Sequence, residues 1–238
     1  MKKTQSNGIT GAGLFIMIGL VALGWFIYTS ARFIKSRDRV VNVKGLAERE
    51  VKADIAIWPI TFKQASNDLS LLYNGMEDKQ IMLIDFLEKS GFAKDEITAG
   101  QFETTDRYAD SYSSQNIQFR YISKNTVTVY SEKVELLRKV MNSIGELGKK
   151  GIAIQPPNYE NRTEFLFTKL NEIKPEMVEE ATAKAREVAN KFARDSQSEL
   201  GKLKSARQGQ FSIYNRDSNT PHIKKVRVVT TMEYYLVD

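Results

Sequence analysis

The chain of 238 residues contains no cysteine. Disulfides, thiolate metal sites and thiol nucleophiles are therefore excluded. Histidine occurs once, at His222, which removes the ordinary zinc sites as well. A Ser–His–Asp triad would have to use that histidine, yet no G-x-S-x-G elbow is present to supply the serine. His222 follows Thr220-Pro221 and reads as an exposed loop residue ahead of the last strand. A Gly-rich phosphate loop is missing. Gly148-Lys149-Lys150-Gly151 is too short for one and joins a helix to a strand, the reverse of what that motif needs, so it reads as a turn. Asp-rich calcium loops are absent too. Among the acids, Asp54, Glu103, Asp106 and Asp110 fall in strands or loops, and nothing sets a pair of them apart for the acid–base work of a glycosidase. No catalytic, metal-binding or cofactor-binding residue emerges, and no cofactor is expected.

Charge is missing over one long stretch. From Thr4 to Ala31 no side chain is charged. Its apolar part, from about Ile9 to Ala31, would run roughly 35 Å as a helix, against a hydrocarbon core of about 30 Å. Trp25 and Tyr28 lie near its C-terminal end, where aromatics favour the membrane interface. The run exceeds the apolar region of about 7–15 residues found in a cleaved signal peptide. Ala22-Leu23-Gly24 and Thr29-Ser30-Ala31 resemble a cleavage site only loosely. The expectation is an uncleaved transmembrane anchor with the lipid bilayer as its partner.

The net charge of +6 invites a nucleic-acid reading, and its distribution argues against one. Before residue 40, Lys2, Lys3, Arg32, Lys35, Arg37 and Arg39 oppose Asp38 alone. Five of the six net charges thus flank the hydrophobic segment, where cations meet lipid headgroups, and one remains for residues 40–238. No nucleic-acid partner is expected. Four Lys and Arg follow the segment and two precede it, a bias that taken alone would place the domain in the cytoplasm.

Residues 40–238 read as one α+β domain after an N-terminal tip, anchor and basic linker at 1–39. Val41–Gly45 and 55–62 alternate as strands that turn near 48–54, with Pro59 marking an edge or bulge. A helix is expected over about 68–89, capped by Asp68 and ended by Gly91, with Leu69, Leu72, Tyr73, Met76, Leu83, Ile84 and Leu87 on one stripe. Strands follow at about 97–105 and 117–130, joined by the polar run 106–116 with Tyr108 and Tyr112. That run reads as a mobile tip or a partner-binding loop. Ser123-Lys124-Asn125 breaks the pattern of the second strand and suggests a bulge. A helix over about 132–147 has Ser131 as its expected N-cap and Gly148 as its stop.

In the last third, strands near 151–155 and 164–168 precede a helix starting around Pro175. Its expected buried stripe is Val178, Ala181, Ala185, Val188, Ala189 and Phe192. Glu180 with Lys184 and Glu187 with Lys191 are helix-surface pairs. Strands at 202–214 and 223–237 close the chain. The last carries apolar residues on both parities, so part of its second face should pack on a helix or a neighbouring subunit. Helices separated by strand hairpins indicate antiparallel sheets with helices on one face.

These residues resemble the SIMPL-domain family of bacterial envelope proteins. Gly45 fits the glycine of the family's opening hairpin. Ala53-Asp54-Ile55-Ala56 matches its Pro-Asp-x-Ala segment, with Ala53 in place of the proline. Phe119-Arg120-Tyr121, then Thr126-Val127-Thr128-Val129, then a helix ending at the Gly148–Gly151 turn follow the family's middle. The alanines 181, 185 and 189 before Leu200-Gly201, and the closing strand at 226–237, follow its end. The resemblance covers about 40–238. It implies an exported domain, a tendency to form homo-oligomers, and a loose link to envelope stress tolerance. Together with the expected anchor, this gives a single-pass protein of the bacterial inner membrane with its domain extracytoplasmic (periplasmic). It implies no enzymatic activity. On that basis the chain is expected to be a non-catalytic scaffold or interaction module, with an unidentified envelope protein as a further partner. A carboxylate-dependent hydrolase and a small-ligand receptor are the alternatives, the first needing two converging carboxylates and the second a concave apolar pocket.

Overall fold

The computed structural model describes residues 6–36, 39–109 and 118–237. The chain is α+β, with antiparallel sheets and helices. Its elements in order are α1 (Ser6–Ser36), β1 (Val40–Lys52), β2 (Ile55–Ser66), α2 (Leu69–Lys89), β3 (Ile97–Ala99), β4 (Glu103–Asp106), β5 (Tyr121–Ser131), α3 (Val134–Ser143), α4 (Gly145–Lys149), β6 (Glu164–Leu166), α5 (Leu170–Asp195), β7 (Glu199–Gln208), β8 (Ser212–Asn215) and β9 (Ile223–Val237). It divides into two compact units: 49–173 with 213–226, and 6–48 with 174–212 and 227–237 as far as described.

In the first unit the sheet order is β3-β5-β2-β6, with β4 also on β5. β2 and β5 pair without a slip from Ala56 opposite Ser131 to Ser66 opposite Tyr121. The bulge expected at Ser123–Asn125 is therefore not there. Ser123 and Asn125 keep the inward parity of Val127 and Val129 and are buried, Asn125 donating to the Gly100 carbonyl at 2.7 Å. The irregularity sits on the opposite strand. Ala99 faces Val127 and Glu103 faces Lys124, so four steps on one strand meet three on the other. One extra residue breaks the strand expected over 97–105 into β3 and β4.

Pro59 lies where β2 has no neighbour on its second edge, between β6 at Ile55–Ile57 and the Ile154 bridge at Phe62. Its missing N–H therefore costs no ladder bond. The bridge at Ile154 and the three residues of β6 replace the longer strands expected over 151–155 and 164–168.

Ala56, Trp58, Ile60 and Phe62 of β2 and Val127 and Val129 of β5 form a core with Leu72, Met76, Leu83 and Leu87 of α2 and Leu137 of α3. Leu69 and Tyr73, expected on the same stripe, are more exposed than buried neighbours and lie at its margin. Asp68 caps α2 by accepting from Leu71 N–H at 2.9 Å, and Gly91 leaves it with φ +104°. The helix expected over 132–147 is two pieces, α3 and α4, broken at Ile144. Ser131 does not cap it directly; its hydroxyl accepts from Lys133 N–H (3.0 Å) and donates to Glu96 (2.6 Å). Gly148 lies inside α4, and Gly151, at φ +83°, makes the exit.

In the second unit β1, β9 and β7 lie side by side; β8, which belongs to the first unit in all but Ser212, also pairs with β9. β1 does not turn at Glu48 but runs on to Lys52, because the turn needs only Ala53 and Asp54. β7 pairs with β9 through two register shifts, and the strand expected over 202–214 is split into β7 and β8.

α5 starts at Leu170, so Pro175 lies within the helix instead of opening it. Its buried residues are Met177, Ala181, Ala185, Ala189 and Ala193. Val188 and Phe192, expected in that stripe, are 39% and 54% exposed. Gly45 of β1 explains the difference. A Cβ there would lie 1.8 Å from the Ala181 carbonyl oxygen and 2.6 Å from the Ala185 nitrogen. At so close an approach only alanine-sized side chains fit where α5 crosses Gly45, although Met177, one turn before Ala181, is still buried; Val188 and Phe192 are turned outward.

α1 continues without a break from Ser6 to Ser36. Its side chains are described over 15–30, where Phe15, Val21, Trp25 and Phe26 are among the most exposed apolar groups in the chain. Among the described residues no helix is long and apolar enough to cross a membrane.

Candidate interaction surface

Three of the four acids singled out in sequence are held by a local partner. Asp54 accepts from the Thr168 N–H (2.9 Å) and hydroxyl (2.8 Å). Glu103 pairs with Lys124 at 2.9 Å. Asp106 binds Arg120 in a fork, with the closest oxygen 2.7 Å away. Asp110 lies outside the described residues. Hydrogen bonds from Arg120 hold the Asp106 carboxyl below its ordinary value. Asp217 is lowered by the Thr220 hydroxyl and by Arg216. Glu96 is lowered by Lys133 and Ser131 against the opposing effect of burial. A general acid needs the opposite shift. Among the described residues, no three His, Asp or Glu side chains group as metal ligands.

Arg120 also stacks over Tyr121 (4.8 Å) and Tyr108 (5.6 Å). Its backbone N–H donates to Asn67 at 2.9 Å. Both ends of the polar connection are thus pinned, while Tyr112 lies outside the described residues.

His222 is not exposed: only 8% of it is accessible. The turn before it is closed by Asp217, which accepts from Asn219 N–H (2.8 Å) and Thr220 N–H (2.7 Å). The ring lies edge-on to Phe165, with centroids 6.0 Å apart, and its carbonyl accepts from Ala53 N–H at 2.8 Å. Burial lowers its pKa, Arg138 pushes the same way, and Glu135 opposes. Lys224, two residues on and equally buried, donates to the Asn215 side-chain oxygen. Burial lowers its pKa against the pull of Glu164. It borders a recess of about 270 Å³ with Arg162, Glu164 and Pro221, just below the roughly 300–1,000 Å³ of small-molecule sites.

A larger concavity, about 910 Å³, lies in the other unit. One wall is Lys44, Gly45 and Leu46 of β1; the other is the outer side of α5, including Lys184, Glu187, Val188 and Lys191. Glu187 and Asp195 both line it, but eight residues along one helix separates them by roughly 12 Å, beyond the about 5–9.5 Å spacing of paired glycosidase carboxylates. Glu180 and Lys184 pair at 2.6 Å. Glu187 and Lys191, expected to pair, form no ion pair among the described residues and face the groove.

β1 ends its sheet, since among the described residues it pairs with β9 alone. Leu236 N–H donates to the Arg39 carbonyl, and Ala53 N–H to that of His222, each at 2.8 Å. The two bonds share one register, so odd-numbered residues of β1 bond to β9. The peptide groups of Asn42, Lys44, Leu46 and Glu48 point to the open edge. Sequence analysis missed this groove, because a strand's place in its sheet is not written in its own periodicity.

Residues 41–233 match the family model SIMPL, described as a protein of unknown function (DUF541). No curated protein matches the chain.

Proposed function

Since the chain belongs to the SIMPL family, whose function is unknown, we propose from its own geometry that it is a membrane-anchored, non-catalytic interaction module of the bacterial cell envelope. The observation that carries this reading is α1, an unbroken helix of 31 residues. Its described apolar side chains lie open over Phe15–Tyr28. Exposure on that scale marks a surface that water does not cover in use. The reading takes in the whole uncharged run from Thr4 to Ala31, with Ile9–Ala31 in the bilayer. It sets the domain at 40–238 on the outer side of the inner membrane. The domain self-associates there and also engages another envelope protein, in keeping with a role in stress tolerance.

Two measurements test it. The chain should stay in the membrane pellet after alkaline carbonate washing, and protease added to spheroplasts should digest residues 40–238. Release into the wash refutes the anchor. Survival of the domain until the spheroplasts are lysed refutes the orientation.

A further inference from the structure

The open edge of β1 carries its own complement. The residues whose peptide groups face outward include Lys44, Leu46 and Glu48, which alternate along one side of the strand. Leu46 is 37% exposed, Lys44 makes no ion pair among the described residues, and Glu48 meets Arg227 of β9 at 3.6 Å, a long contact that leaves its carboxylate able to accept a second cation. An antiparallel partner strand of the same sequence, centred on Leu46, sets the two leucines opposite each other. It also sets Lys44 of each copy opposite Glu48 of the other. Moving the centre to residue 44 opposes two lysines, and moving it to residue 48 opposes two glutamates. Centres at 45 or 47 leave Leu46 against a charge. Only one register satisfies both ion pairs and the apolar contact, and directly opposite residues are where such pairing acts.

The rest of the groove fits the same occupant. A strand added to β1 lies about 4.8 Å from it, in the space bounded on the far side by α5. Val188 lines that space, and Phe192, one turn on, is 54% exposed. The charges there are mixed, with Glu187 and Asp195 beside Lys191 and Arg194. Mixed signs suit a surface that meets itself and would repel part of a uniformly charged peptide. The opposite edge of the sheet is protected by the two register shifts in β7 and by Lys202, Lys204 and Arg207. β1 holds one register against β9, and its central edge charges, Lys44 and Glu48, are of opposite sign, so they complement a second copy instead of repelling it.

We propose that the open edge of β1, at Lys44, Leu46 and Glu48, pairs antiparallel with the same edge of a second copy of this chain about a two-fold axis at Leu46. The two sheets then become continuous and the two α5 helices lie on the same face. This rests on the reading of the domain as self-associating and assigns the contact.

The absence of cysteine makes the test clean, with the full-length chain left in its own membrane and a mild oxidant added. Leu46→Cys should form a covalent dimer. Tyr159→Cys, at an 89% exposed position, controls for collision and should stay monomeric. Lys44→Cys and Glu48→Cys should each fail to link alone and should link when co-expressed. Lys44→Glu should abolish linking through Leu46→Cys, and adding Glu48→Lys should restore it. Linking of Leu46→Cys no better than Tyr159→Cys overturns the proposal, as does equal linking by Lys44→Cys alone. A product joined to a different protein overturns it as well. Sedimentation of the detergent-solubilised wild type separates the two levels. A mass no greater than the 27.1 kDa of one chain refutes self-association itself. An oligomer that does not link through Leu46→Cys refutes only this interface.

Discussion

Replacing Gly45 by alanine adds one methyl group and should cost far more than a methyl group. The new Cβ would sit 1.8 Å from the Ala181 carbonyl oxygen, where ordinary contact begins at 3.4 Å. Neither obstacle is a side chain that can rotate away, since the second is the Ala185 nitrogen at 2.6 Å. The helix or the strand must retreat by up to about 1.6 Å, the difference between those two oxygen distances. A radial gap of about 0.5–1 Å already forfeits a quarter to a half of a dispersion contact. The retreat therefore strips contacts from Val43, Ala185, Ala189, Met232 and Tyr234, which form this small core.

Simple overpacking costs about 1–3 kcal/mol, and a forced backbone shift more. The expected loss for Gly45→Ala is about 3–5 kcal/mol, out of a typical total of about 5–15. Gly148→Ala is the control. Nothing lies within 4 Å of its would-be Cβ and it sits inside α4, so alanine there should be neutral or stabilise by up to about 1 kcal/mol. Urea titrations followed by far-UV circular dichroism give both values. A Gly45→Ala protein within 1 kcal/mol of wild type, or indistinguishable from Gly148→Ala, refutes the close-packing account.

Two further outcomes follow from local structure. The pKa of His222 is lowered by burial in the folded chain. Below the ordinary value of 6.5 the unfolded chain therefore binds a proton that the folded one refuses, and stability falls as pH drops. His222→Gln should flatten this slope between pH 6.5 and the carboxylate range near about 4. Equal slopes in the two proteins would contradict the assignment. Asp68→Ala removes the bond to Leu71 N–H at the start of α2 and should cost about 1 kcal/mol, with Asp68→Asn recovering most of it. An unchanged denaturation midpoint in the alanine variant would show that the cap contributes nothing.

What the sequence determined by itself was local. Binary pattern and turn chemistry located nearly every helix and strand, since both act over a few residues: Asp68 and Gly91 bracket α2 as expected. The inward parity of β9 at Val226, Val228, Thr230, Met232 and Tyr234 likewise follows from its alternation. The family was legible too, because its motifs keep their order along the chain.

Tertiary structure decided what depends on a second element. Whether Val188 or Ala189 faces the sheet turns on how closely α5 approaches Gly45, and periodicity alone admits both. His222 reads as a loop residue until Phe165 and the turn at Asp217 enclose it. The bulge moved from Ser123–Asn125 to the strand opposite because a ladder slips on whichever side has a residue to spare. The groove beside β1 exists only because β9 takes one edge of that strand and leaves the other open. A peptide N–H looks the same in every strand, and only the assembled sheet determines which of them still lack an acceptor.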